Sequence, residues 1–105
     1  MKDRFQDTIA APATPAGEGA IGVIRISGPQ AISMLETVFT PDTGSVPGLE
    51  PFRLYHGWII AEGEEIDEVM AAVMKAPRRF TGEDMAEIYS HGGPMVMECI
   101  LNALL

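Results

Sequence analysis

Apolar and polar residues alternate along Ile21–Ser27, with Val23 and Arg25 on one side and Ile24 and Ile26 on the other, a period of two that predicts a strand. A shorter apolar run, Thr8–Ala11, precedes it and is closed by the Pro- and Gly-rich stretch from Pro12 to Gly19. Ser27-Gly28-Pro29 supplies a helix start with Pro29 at the first helical position. Ala31, Met34, Leu35 and Val38 then recur at helical spacing, which predicts a one-sided helix over 30–39. Pro41–Pro51 reads as a surface loop, Leu54–Ile60 as a strand and Glu62-Gly63-Glu64 as a turn. Ile66–Met74 is apolar on both faces, as an interior strand would be. After a loop over Ala76–Gly82, Asp84–Ser90 alternates again, with Met85, Glu87 and Tyr89 facing one way and Ala86 and Ile88 the other. His91-Gly92-Gly93-Pro94 opens a last helix in which Val96, Cys99, Ile100, Ala103 and Leu104 share a side. That helix has no stop signal, and its apolar, uncapped end predicts a fragment of a longer chain.

Strands interleaved with helices and joined partly by short turns predict an α+β domain: a mixed sheet of about five strands, covered on one side by two or more helices. The 105 residues suit one domain, and 47% hydrophobic residues carry a core that a disordered segment could not. Fifteen acidic against seven basic residues give a net charge of -8. No basic stripe exists, which argues against this domain gripping nucleic acid through phosphates. One cysteine, Cys99, excludes an internal disulfide and a multi-cysteine zinc site. No apolar run approaches the ~20 residues of a membrane helix, and no signal peptide is recognisable, so the chain reads as soluble and cytoplasmic.

Gly17-Glu-Gly-Ala-Ile-Gly22 matches the dinucleotide fingerprint G-x-G-x-x-G in the wrong context. The fingerprint leaves a strand and opens a helix, whereas these glycines lead into a strand, so they read as a connection. The P-loop motif is absent from these residues. His56 sits mid-strand and His91 has only Cys99 downstream, so neither has the short-spaced companions that zinc prefers. Ser90-His91 lacks a nucleophile elbow and does not read as a catalytic pair. The seven methionines fall on apolar faces as core filler. His91-Gly92-Gly93-Pro94 could offer free N–H groups to an anion, although a plain strand-to-helix turn explains it as well.

Two charges interrupt apolar strands: Arg25 in Ile21-Gly-Val-Ile-Arg-Ile26 and Glu87 in Met85-Ala-Glu-Ile-Tyr89. Such charges either face solvent, alone or paired with each other, or form the polar floor of a ligand cleft. A carboxylate suits a flat heterocycle with two adjacent N–H groups, and a guanidinium suits a carbonyl or carboxylate.

Asp7-Thr-Ile-Ala-Ala11, Ala13-Thr-Pro-Ala-Gly-Glu-Gly-Ala-Ile-Gly-Val-Ile-Arg-Ile-Ser-Gly-Pro29, Phe80-Thr-Gly-Glu-Asp-Met-Ala-Glu87 and His91-Gly-Gly-Pro94 occur in the order and spacing of one family. Together they resemble the N-terminal domain of the MnmE (TrmE) tRNA-modification GTPases, from about Asp7 to the last residue, with Phe39–Arg53 carrying little of the likeness. The resemblance implies a fold like the tetrahydrofolate-binding domain of aminomethyltransferases. It implies that residues 1–105 are an N-terminal folate-binding and dimerisation domain, cut short, with 5-formyl-tetrahydrofolate or another one-carbon tetrahydrofolate as ligand. The family's folate-contacting arginine falls on Arg25 and its folate-contacting glutamate on Glu87. A further folate-contacting lysine of the family lies beyond Leu105. GTP, Mg and K belong to a separate GTP-binding domain of such a parent. With the flavoprotein MnmG that parent modifies carbon 5 of the wobble uridine of certain tRNAs. No catalytic residue is expected in this segment, and no turnover by it alone. Ala16 and Ala20 stand where the family often has Pro and Gly, and Pro12 where an apolar strand residue is usual. The competing reading is a purely structural self-association module without a folate site. A free-standing aminomethyltransferase-like enzyme would need a longer chain.

Overall fold

The computed structural model describes residues 8–13, 21–75 and 83–105. Gly17, Gly19, Arg78, Arg79 and the Phe80-Thr-Gly82 part of the third motif block lie outside them. Six strands, β1 (Ile9–Pro12), β2 (Ile21–Ser27), β3 (Phe39–Pro41), β4 (Tyr55–Ala61), β5 (Glu64–Met74) and β6 (Met85–His91), make one sheet in the order β1-β2-β6-β5-β4-β3. Two helices, α1 (Ala31–Val38) and α2 (Pro94–Leu104), complete the α+β domain.

Every ladder among these strands is antiparallel, which corrects the expected mixed sheet of about five strands. The reason is topological: β6, last in sequence, inserts between β2 and β5 and runs opposite to both. β2 and β5 are thus parallel to each other but never adjacent. The sixth strand, β3, falls where helix 30–39 and the loop after it meet. Pro41 disfavours helical backbone at Thr40, and Phe39 caps α1 in extended conformation. The chain therefore straightens and pairs Phe39–Pro41 with Ile59–Gly57. Within the expected loop a short 3-10 turn, Val46–Gly48, tucks Val46 into the core.

Both edge strands are three or four residues long and end in proline, Pro12 on β1 and Pro41 on β3. Proline cannot donate to a further strand, so the two rims resist edge-to-edge pairing. The β4–β5 hairpin turns through Glu62 (φ 52°) and Gly63 (φ 79°), the left-handed pair that a type I′ turn requires. A bulge follows: Ile59 pairs with Asp67 but Ile60 with Glu65, leaving Ile66 as the extra residue.

The alternation expected of β2 and β6 holds. Ile24, Ile26, Ala86 and Ile88 are fully buried beneath the helices, as are Ala71 and Val73 of β5. α1 closes this core with Ala31, Leu35 and Val38, and α2 with Ile100 and Leu104. Pro29 is not the first residue of α1, because Gly28 (φ 136°) and Pro29 form a separate turn and Gln30 is the N-cap. The Gln30 N–H is satisfied by Thr8 Oγ1 at 3.0 Å. Pro94 does begin α2, after Gly93 (φ 121°). Cys99 is exposed rather than part of the buried stripe, which continues instead through Val96, Met97, Leu101 and Ala103.

Candidate functional site

Among the described residues no helix covers the second face of the sheet, and the odd-numbered residues of β2 and β6 point onto it. Register sets Arg25 of β2 opposite Glu87 of β6, with Ala72 of β5 next in the same row. The two sequence-predicted residues are therefore direct cross-strand neighbours. Arg25 Nε donates to Glu87 Oε2 at 2.6 Å. Exposure is unequal: the arginine side chain is 48% accessible and the glutamate 14%. The adjacent row runs Val23, Tyr89, Met70, His56 across β2, β6, β5 and β4. From it the Tyr89 hydroxyl reaches back along β6 and donates to Glu87 Oε1. Burial first, and the Glu87 carboxylate second, push the Tyr89 phenol up to about 12, so it keeps its proton and remains a donor.

Among the described residues Glu87 is thus a withdrawn carboxylate with one donor on each oxygen. A carboxylate offers about four lone-pair sites, so roughly half its accepting capacity is left over. Arg25 likewise has N–H groups in excess of its one contact among the described residues. An ion pair of this exposure contributes only about 0.2–1 kcal/mol to folding. Tyr89 was legible in the period-two pattern as a neighbour of Glu87 on the same face, but nothing in the sequence assigned it a task.

Beyond Tyr89 the face dips into a concavity of about 280 Å³ whose walls include Ile21, Met70, Tyr89, His56, Glu68 and His91. That size is close to the lower end of small-ligand pockets, ~300–1,000 Å³. Both histidines are engaged by carboxylates. His56 Nδ1 lies 2.6 Å from Asp42 Oδ2 and Nε2 lies 2.5 Å from Glu68 Oε2. Two acceptors require two donors, so this geometry belongs to the imidazolium. The hydrogen bond to Glu68, then that to Asp42, raises the His56 pKa above 6.5. His91 Nδ1 pairs with Asp67 Oδ1 at 2.7 Å, while Asp67 Oδ2 accepts the His91 backbone N–H at 3.0 Å. Asp67 thereby fixes the turn between β6 and α2.

Ser90 is 3% exposed and faces the core, with its hydroxyl 3.2 Å from the His91 carbonyl and 3.4 Å from Met97 Sδ. The His91 side chain is 72% accessible, so the two neighbours diverge and form no nucleophile–base pair. Among the described residues no group of three or more His, Cys, Asp and Glu side chains is arranged to hold a metal ion. Among the same residues no helix is long and apolar enough to cross a membrane.

Comparison with known proteins bears on this arrangement as a whole. Residues 8–105 match the family model described as GTP-binding protein TrmE N-terminus. The chain is 52% identical over 103 residues to the tRNA modification GTPase MnmE of Syntrophus aciditrophicus (strain SB), covering 96% of this chain and 22% of that protein. It is 47% identical over 100 residues to the tRNA modification GTPase MnmE of Nitratidesulfovibrio vulgaris (strain DP4), covering 95% and 22%. The MnmE of Chlamydia abortus (strain DSM 27085 / S26/3) is 46% identical over 99 residues, at 94% and 22%. The chain thus spans about a fifth of the length of the curated relatives it matches. A match over all but the first seven residues, with identity near one half, makes this chain a member of the TrmE N-terminal family.

Proposed function

We propose that this chain is the folate-binding and dimerisation domain of a cytoplasmic tRNA-modification GTPase, and that Arg25 and Glu87 bind a one-carbon tetrahydrofolate such as 5-formyl-tetrahydrofolate. The observation that carries the reading is the state of Glu87: a carboxylate 14% accessible, set in the open sheet face, with accepting capacity left over after Arg25 and Tyr89. The donor set fits the ligand. A pterin ring presents an amino group beside a ring N–H, which a carboxylate can accept as a charge-assisted pair, each bond contributing about 1.5–3 kcal/mol. The spare donors of Arg25 suit a carbonyl or carboxylate of the same ligand. The concavity past Tyr89, lined by Ile21 and Met70 together with the polar His56, Glu68 and His91, offers space for what extends beyond the ring.

On this reading the bound folate supplies a one-carbon unit, and the chain's own residues only hold and orient it. GTP hydrolysis with Mg and K, tRNA contact and the flavoprotein partner MnmG fall to other parts of a parent about five times longer. The acidic balance of this segment agrees with that division of labour, because gripping tRNA needs clustered cations and its seven basic residues form no stripe among fifteen acidic ones.

A second reading, a self-association scaffold without ligand, is favoured by the Arg25–Glu87 contact itself, since each charge already has a partner. Calorimetric titration of 5-formyl-tetrahydrofolate into this protein and its Glu87→Ala variant separates the two. Saturable binding that the variant loses supports the folate site. Equal binding by both variants keeps a folate domain and refutes the residue assignment. Silence from both, repeated on a chain extended past Leu105, leaves the scaffold, whose dimer sedimentation velocity would then detect.

A further inference from the structure

Resting on the folate reading above, we propose that Tyr89 is a positioning residue: its hydroxyl fixes the Glu87 carboxylate so that one free acceptor site on each oxygen faces a paired N–H edge. Glu87 and Tyr89 are two residues apart on β6 and share its open face, where the strand's pleat brings their side chains together. Arg25 holds Oε2 from the neighbouring strand while Tyr89 holds Oε1 from the same strand. Rotation about the last side-chain bond of Glu87 would break both contacts, so the Tyr89 hydroxyl narrows the carboxylate's orientation beyond what Arg25 alone imposes. The phenol is a suitable grip because burial and Glu87 keep it protonated well above neutral pH.

The arrangement selects for a chemical class. With one site per oxygen already filled, the carboxylate accepts best from two adjacent, parallel N–H groups, as on a 2-amino-4-oxo heterocycle. Tyr89 also walls the concavity, so the residue that orients the carboxylate also borders the space the ligand would enter.

The test compares this protein with Tyr89→Phe and Glu87→Gln by calorimetry, using 5-formyl-tetrahydrofolate and its analogue lacking the 2-amino group, with urea midpoints as a check on folding. Tyr89→Phe should weaken 5-formyl-tetrahydrofolate about tenfold, the loss of one charge-assisted hydrogen bond's worth of orientation, while changing the analogue's affinity little. The preference for the amino-bearing ligand should therefore fall. A role in packing alone would weaken both ligands equally, and that result overturns the proposal. Unchanged binding by Tyr89→Phe, in a protein whose Glu87→Gln variant binds poorly, overturns it while sparing the folate site. Binding unaffected by Glu87→Gln removes the site, and this role with it. No binding by the unaltered protein, repeated on a chain extended past Leu105, overturns both readings.

Discussion

Gly57 is where the fold leaves least room, and replacing it with alanine tests the packing directly. Gly57 lies in β4 opposite Pro41, at the last pair of the β3–β4 ladder. A Cβ added there would lie 2.7 and 2.8 Å from Phe39 Cε1 and Cζ and closer still to the Thr40 carbonyl oxygen. Phe39 is 3% exposed and belongs to the core, so its ring cannot turn aside without opening a void. The Thr40 oxygen is backbone, so relief on that side moves β3 itself. Overpacking of this kind costs about 1–3 kcal/mol. Restricting the unfolded chain by replacing a glycine offsets about 0.4–1 kcal/mol. The net loss should be about 1–2 kcal/mol, which at a urea m-value of about 1–1.5 kcal/mol/M lowers the midpoint by about 1 M. Trp58, the one tryptophan, pairs with Thr40 across the same ladder and reports the transition by fluorescence. Gly48→Ala is the control, since nothing lies within 4 Å of its would-be Cβ. A Gly57→Ala midpoint equal to that of Gly48→Ala would refute the claimed contact and the placement of β3.

Leu35, fully buried in α1, should lose about 3 kcal/mol as Leu35→Ala, a large part of a small domain's total, which lowers the urea midpoint read by circular dichroism by about 2–3 M. His56 has a folded-state pKa raised above 6.5, so the folded protein holds its proton more tightly than the unfolded chain does. Its contribution is then fully present below 6.5 and is lost as pH rises through the folded value. Urea midpoints measured from about pH 6 to about pH 9 should fall in the unaltered protein and flatten in His56→Gln; parallel profiles would count against the Asp42–His56–Glu68 bridge. Gly22→Ala meets the flexible Met97 thioether rather than backbone, so its loss should be smaller than that of Gly57→Ala in the same assay. Cys99 should react with a thiol reagent in the folded protein nearly as fast as in urea, since α2 leaves it exposed.

The strands that carry the Arg25–Glu87 pair were readable because each has one buried and one open face, which writes a period of two into β2 and β6. The Val69–Met74 half of β5 was readable for the opposite reason, being interior and apolar on both sides, whereas its first half carries Glu64, Glu65, Asp67 and Glu68. β3 was not, because three residues show no period, and its existence depends on a partner sixteen or more residues away. Strand direction was equally hidden: the insertion of β6 between β2 and β5 is a long-range choice that local pattern does not record. Cys99 misled through the width of the α2 stripe, since one helical position beyond the true contact is solvent. The charges are a different case. That Arg25 and Glu87 break apolar strands follows from the sequence, and that they meet follows from the register. Whether they meet for each other or for a ligand cannot be read from either charge alone, because an ion pair and a polar ligand floor use the same two groups. Tyr89 adds a second donor to the carboxylate, and because a half-buried carboxylate accepts further donors with or without a ligand, the Tyr89→Phe titration is what separates the two.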